Sequence, residues 1–280
     1  MQARAPAPSS SSALLLSNVE DPEPHDTDLP PPPMSLLTIA SYNVHKCVGT
    51  DRRFSPARVT EVIAELGADL LALQEVDRRF GRRIGLLDMV ELERRTGLRH
   101  VPLSMIPQGQ GWHGNALLFR EGEVTSIRRL SLPGGEPRGA ASVELRLRGV
   151  RLRVVATHFG LLKQHRLQQC GAILELLAQE DLPTLILGDL NEWRVGRRSS
   201  LLPLHQSLRC SQFSPATFPS RLPLLPLDRI LGWPRGLVRD LEAHESALAR
   251  VASDHLPLKA QLDLEVAAVH GGTGLVPRAA

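Results

Sequence analysis

Cysteine is scarce in this chain. Among 280 residues there are three, Cys47, Cys170 and Cys210. The number is odd and no pair stands at metal-ligand spacing, which argues against a disulfide framework and points to a reducing, cytoplasmic compartment. No apolar run approaches the roughly 20 residues needed to span a bilayer, so no transmembrane segment is expected. Nor does a basic flank lead into an apolar core at the N-terminus, where Leu14–Leu16 is too short for a secretory signal. Aromatic residues make up 4% with a single tyrosine, which leaves few platforms for stacking single-stranded bases. Lysine is scarce too, so the net charge of +3 rests on arginine. Arginine forks suit phosphate, but here they are scattered rather than gathered into a nucleic-acid stripe. The motifs G-x-S-x-G, H-E-x-x-H and C-x-x-C are all missing, which excludes the familiar serine-elbow and zinc chemistries.

What is present is a chain of globular composition, 42% hydrophobic and 22% charged, long enough to bury a sizeable core. Residues 1–34, ending in "LPPPPM", are Ala-, Pro- and Ser-rich with acidic residues and read as a disordered tail. A single domain is expected over 35–265, followed by a flexible tail over 266–280.

Between the tails, strand and helix signals alternate. "LLTIASYNV" (36–44) is β-rich. Over 55–67, Ser55 is placed as N-cap, Pro56 as first helical residue and Gly67 as C-terminal stop, with Val59, Val62, Ile63 and Leu66 on one face. "ADLLALQEV" (68–76) predicts a buried strand, 86–97 a helix, "GNALLFR" (114–120) a strand, and 141–159 a hairpin turning at Gly149. Leu167, Cys170, Leu174 and Leu177 share helical spacing in 163–179. Further strands are predicted at 183–190, 227–232 and 255–264. Mixed strands interleaved with helices point to an α/β architecture of sheets covered by helices.

One pattern repeats: an apolar strand ends abruptly in polar residues. These ends carry Asn43, then Gln74, Glu75 and Asp77, then His113 and Asn115, then His158, Asp189 and Asn191, Asp228, and finally Asp254 and His255. Each has an ordinary structural reading. Asp189 and Asn191 suit an Asx-type turn, His158 a satisfied core histidine, and Asp228 a salt bridge to Arg229. Recurrence at seven strand ends is harder to explain that way, because α/β proteins place their sites at such ends. Carboxylates and amides are hard oxygen ligands that suit Mg²⁺ or Mn²⁺. Histidines supply protons or donors for a developing oxyanion. That combination is what phosphoester hydrolysis requires.

The ordered stretches "SYNVHK", "LALQEVD", "GNALLF", "ATHFGL", "LILGDLNEW", "PLDRILG" and "SDHLPL" resemble the endonuclease/exonuclease/phosphatase superfamily, which includes DNase I-like nucleases, sphingomyelinases, inositol polyphosphate phosphatases and tyrosyl-DNA phosphodiesterases. Its compact bacterial members are the nearest in pattern. The resemblance implies a four-layer α/β sandwich, two packed mixed β-sheets flanked by helices. It implies Glu75 as main Mg²⁺ ligand with Asn43 beside it and Asp254 near the metal. Asp189 would activate the attacking water, and Asn191 would hold the phosphate or the water. Strand alternation would put these two on one face. His255 would donate to the phosphate oxygen, held protonated by Asp228. His158 would contact the phosphate, and Asn115 would contact it or brace the site.

The expected function is therefore Mg²⁺-dependent phosphodiester or phosphomonoester hydrolysis on a small or lipid-linked substrate. A nuclease or DNA-end phosphodiesterase is the alternative, and a non-catalytic binding module the third. No obligate protein partner is evident. Arg52, Arg53, Arg78, Arg79, Arg82 and Arg83 follow two site strands; they suit either a phosphate mouth or a solvated face.

Overall fold

The computed structural model describes residues 35–78 and 81–271. The N-terminal segment 1–34, residues 272–280 and Arg79 lie outside the described residues. In chain order the elements are β1 (Leu36–Asn43), α1 (Pro56–Leu66), β2 (Leu70–Gln74), α2 (Met89–Thr96), β3 (Arg99–His100), β4 (Ala116–Phe119), β5 (Glu123–Ser131), β6 (Gly139–Leu147), β7 (Val150–His158), α3 (Lys163–Leu177), β8 (Thr184–Asp189), α4 (Leu202–Leu208), β9 (Asp228–Trp233), β10 (Val238–Ala243), α5 (Ala249–Ala252), β11 (Leu258–Asp263) and α6 (Leu264–Gly271).

The strands form two mixed sheets, a 6-stranded one in the order β10-β11-β1-β2-β4-β3 and a 5-stranded one in the order β5-β6-β7-β8-β9. Their facing sides share one core, built from Ile39, Leu70, Ala72 and Leu117 on the first sheet and Val143, Val154, Leu185 and Leu187 on the second. The alternate residues point outward under helices. Leu71 and Leu73 meet Val59, Val62 and Ile63 of α1, whereas Val155 and Ile186 meet Ile173 of α3 and Leu204 of α4. Burial on both faces is why "LLALQ" and "TLILGD" read as continuous apolar runs rather than alternating ones. The result is the expected sandwich of two mixed sheets between helical layers.

Local signals set the helix ends. Ser55 Oγ accepts from Arg58 N (3.3 Å), and Gly67 closes α1 in the left-handed region at φ 56°. Asp88 caps α2 by accepting from Val90 N and Glu91 N.

The structure departs from the sequence expectations in two places and adds strands that they omit. First, α3 does not bury Leu167, which is 43% exposed; its inner face is Arg166, Gln169, Cys170, Ile173 and Leu176. Two polar residues are buried there because they bond inward: Arg166 to Glu192 and Ser200, and Gln169 to the Gly160 amide and the Pro133 carbonyl. Of the four residues at helical spacing, Cys170 is buried and Leu174 and Leu177 pack against the core, so the apolar spacing finds one side of the buried face and misses its polar half. Second, residues 266–271 are not tail but the body of α6. Asp263 Oδ1 accepts from Glu265 N and Val266 N, and Leu264 and Ala267 enter the shared core. The added strands, β3, β5 and β10, have no apolar signature. β5 and β10 are edge strands with mostly half-exposed or exposed residues, and β3 is too short to show a period.

Candidate active site

Sheet register brings the polar strand ends together. His158 of β7 is the direct partner of Asp189 of β8, and Asp189 is in turn the direct partner of Asp228 of β9. Three adjacent strands thus set His158, Asp189 and Asp228 in one row. In the other sheet, Asn43 ends β1 opposite Gln74 of β2, and Glu75 follows at once.

Asp189 is the hub. Its Oδ2 accepts from Asn43 Nδ2 at 3.0 Å and lies 3.4 Å from His158 Nε2 and 3.7 Å from His255 Nε2. Its Oδ1 accepts from Asn191 N at 3.0 Å. The Asx-type turn and the site are therefore one arrangement, not alternatives. Gly188 allows the row to form, because a Cβ there would sit 1.7 Å from the Thr157 carbonyl oxygen on the paired strand.

Asn191 needs a different account from strand alternation. β8 ends at Asp189, and Asn191 takes a left-handed conformation at φ 51°. Its Nδ2 donates to the Phe159 carbonyl at 2.9 Å and lies 3.1 Å from His158 Nε2. The side chain reaches the site through a turn.

His255 Nδ1 lies 2.8 Å from Asp228 Oδ2, which also accepts from Thr217 Oγ1 at 2.5 Å. The Phe218 ring covers the imidazole at 4.9 Å between centroids. Arg229 does not pair with the Asp228 carboxylate. It donates instead to the carbonyls of Asp228, Pro226 and Glu192, clamping the Asp228 and Asn191 segments together.

Burial pushes the Asp189 carboxyl above its ordinary range. The His255 charge and the bonds from Asn191 and Asn43 pull the other way, while Asp228 adds to the rise. Burial would depress His255, but the Asp228 and Asp189 carboxylates outweigh it and hold the imidazole above its usual value.

Glu75 sits in the left-handed region at φ 58° and bonds Lys46 Nζ. Burial works to raise its carboxyl, yet the Lys46 ammonium outweighs that and holds it below its ordinary value. Lys46 belongs to a turn of consecutive positive φ values, His45 (44°), Lys46 (56°) and Cys47 (59°). His113 (50°) is a further strained residue beside Glu75. Such conformations cost about 1–3 kcal/mol each and collect at functional sites.

A cleft of about 350 Å³, its open mouth included, is lined by Glu75, Asp77, Arg83, Arg138 and His158 among others, with Lys46 and His113 on its wall. Asp77 is raised by burial, against the pull of Arg83. Lys46 and Arg229 lie within the stretches "SYNVHK" and "PLDRILG" without a role assigned by them, and no motif marks Arg138. Arg83 is among the arginines that follow the site strands in the sequence.

Asp254 is half-buried, with Oδ1 3.5 Å from His45 Nδ1. The adjacent Ser253 hydroxyl donates to the Asn43 carbonyl at 2.7 Å. Asn115 is fully buried; its Nδ2 donates to the Trp112 and Gly139 carbonyls, both at 3.0 Å, so it braces one sheet against the other.

Glu75, Asn43 and Asp254, the residues that would hold a metal, offer only oxygen donors. Among the described residues no three His, Cys, Asp or Glu side chains form a ready-made metal cage. Such a set fits an ion like Mg²⁺, which keeps water and substrate oxygens among its ligands, and does not fit tetrahedral zinc. No helix among the described residues is long and apolar enough to cross a membrane.

The family model described as Endonuclease/Exonuclease/phosphatase matches residues 40–255. In fold, the chain is similar to an endonuclease/exonuclease/phosphatase from Beutenbergia cavernae, with 21% identity and TM-score 0.59, covering 88% of this chain and 73% of that one. It is also similar to a mannosyl-6-phosphatase of Bacteroides thetaiotaomicron, with 16% identity and TM-score 0.59, covering 80% and 98%. The human Nocturnin catalytic domain with bound sulfate gives 19% identity and TM-score 0.60, covering 81% and 94%. At these identities the likeness shows a shared fold. No curated protein matches the sequence.

Proposed function

Because the chain belongs to the endonuclease/exonuclease/phosphatase family, we propose that it hydrolyses a small or lipid-linked phosphoester with the help of a divalent cation. The observation that carries this reading is the Asp189 carboxylate, buried and raised toward neutrality between Asn43, His158 and His255. A carboxylate with that environment is a better base for water than a solvated one.

In this reading Asp189 takes the proton from the attacking water, while Asn43 fixes its orientation. His255, kept protonated by Asp228, gives its Nε2 proton to a phosphoryl oxygen as charge develops. Asn191 and His158 hold the phosphate. Asn115 braces the sheets rather than touching substrate. Glu75, with Asn43 and Asp254 nearby, holds Mg²⁺ or Mn²⁺. When bound, the ion neutralises phosphate charge and polarises the ester.

The test is hydrolysis of bis-p-nitrophenyl phosphate with Mg²⁺ or Mn²⁺ and with EDTA. Cleavage is expected with either metal and not with the chelator. Glu75→Ala and His255→Ala should each remove most of the rate; wild-type rates in both would overturn the assignment.

A further inference from the structure

The exposed apolar side chains of this protein are not spread evenly. Among the described residues, the exposed large apolar side chains outside helices all lie on loops at one edge of the sandwich, the edge that carries the candidate site. Helices hold only Val90, Leu167 and Val269. From the first sheet's loops come Phe54, Met105 and Ile106. After His158 come Leu161 and Leu162, and after Asn191 come Trp193 and Val195. The segment leading into Asp228 adds Phe213, 71% exposed, with Leu222 and Leu224, each 66% exposed. Register places these loops on one edge: β7 and β8 run parallel and end at His158 and Asp189, whereas β9 runs antiparallel and starts at Asp228.

Charge follows the same division. Arg52 and Arg53 follow β1, Arg78 and Arg82 follow β2, and all four are exposed. Arg197, Arg198 and Arg221 are exposed on the loops around β8 and β9. The exposed carboxylates on these loops are already engaged: Asp51 with Arg58, Asp88 in the cap of α2, and Glu245 with Arg250. The opposite edge presents Glu121, Arg148, Glu180 and Arg235, of both signs, and among the exposed large apolar side chains only Val269 of α6. At the site edge cation and apolar surface are interleaved, as where Arg194 lies 4.6 Å over the Trp193 ring.

Exposed apolar surface rimmed by one sign of charge marks an interaction face. We propose that the site-bearing edge docks on an anionic lipid surface. Aliphatic side chains such as Leu161, Leu162, Leu222 and Leu224 enter the boundary between headgroups and acyl chains, while the arginines meet anionic headgroups. A nucleic acid would use the arginines but leave the leucines without a partner, since bases want aromatic platforms. Docking does not depend on hydrolysis, so this proposal and the proposed activity fail separately.

The test is co-sedimentation of the full chain with vesicles of phosphatidylcholine alone and of phosphatidylcholine with phosphatidylserine. The expected result is retention on the anionic vesicles that weakens as salt is raised. Two double variants, Leu222→Ser with Leu224→Ser and Arg197→Glu with Arg198→Glu, should each lower retention about tenfold or more. Both should keep the wild-type melting temperature and the wild-type rate on a soluble phosphoester. Wild-type retention in both variants would overturn the proposal. So would failure of the wild-type chain to sediment with either vesicle, or its displacement from anionic vesicles by a short DNA duplex.

Discussion

Asp189 and Asp228 are direct partners across the antiparallel pair β8–β9, and one imidazole faces both of them. His255 Nδ1 lies 2.8 Å from Asp228 Oδ2, and its Nε2 lies 3.7 Å from Asp189 Oδ2. Two buried carboxylates beside this imidazole give the centre its electrostatic character: Asp228 favours the proton on His255, and in the proposed reaction Asp189 receives one.

Asp228→Asn follows from that division. Without the carboxylate, the largest charge opposing burial and its hydrogen bond are both lost, leaving Asp189 and Asp254 to oppose it, and the His255 pKa falls. In the wild type the imidazole stays protonated to a raised pKa, so activity that needs the proton is lost only as pH rises through that value. In the variant the alkaline limb should move to lower pH, with kcat/KM at neutral pH reduced about 100-fold or more. The rate profile, alongside an NMR titration of His255, measures both.

Gly188→Ala should be severely destabilising. Its new methyl would overlap the Thr157 carbonyl on the neighbouring strand, which the paired backbones cannot absorb without breaking register. A loss of about 3 kcal/mol or more in urea unfolding is expected, and any folded fraction should have Asp189 out of line and little activity.

Glu192 should govern stability in acid. It is buried, bonded by Ser200 N, Ser200 Oγ, Arg166 and Arg194 N. Although burial alone would raise it, those partners hold its carboxyl down at about 2. A depressed carboxyl contributes stability above its unfolded value and loses it as pH falls through the folded one, so the loss should run from about pH 4.5 to about pH 2. Glu192→Gln should lower stability at pH 7 by about 3–5 kcal/mol, because Arg166 is left buried without its counter-charge. Its stability should also change less with pH across that window.

Asn115→Ala should separate bracing from substrate contact. Its amide serves two carbonyls, but Gly139 O keeps Thr157 Oγ1 and Trp112 O keeps the Asn115 backbone amide. The Asn115 Oδ1 is itself buried without a partner. Stability should fall by only about 1 kcal/mol, and KM for a soluble phosphoester should stay within about twofold, since a bracing residue adds little ground-state binding. A large rise in KM with unchanged melting would instead make Asn115 a substrate ligand.

The sequence is most legible where one local rule acts alone. Ser55, Pro56 and Gly67 mark α1 because capping and glycine stops are short-range, and the strand ends from Asn43 to His255 stand out because a polar residue after a buried run is conspicuous. It is less legible where tertiary contacts override periodicity. α3 buries Arg166 and Gln169, which no apolar pattern selects. Lys46 comes to Glu75 through consecutive left-handed residues without a glycine to announce them. Strand alternation would place Asn191 beside Asp189, whereas a turn brings it there. Residues 266–271 look like tail because the helix follows a strand with no break and adds few core contacts, Ala267 among them.

The first sheet draws its strands from both halves of the chain: β1 lies between β2, which follows it closely, and β11, which arrives last but for α6. The second sheet is contiguous from β5 to β9. During synthesis the second sheet can therefore be complete while the first still lacks its outer strands, and His255 emerges only just ahead of β11. A nascent or prematurely terminated chain would carry the carboxylate row without His255, the proton donor of the proposed reaction. It would be chemically silent until the ribosome had delivered nearly the whole domain.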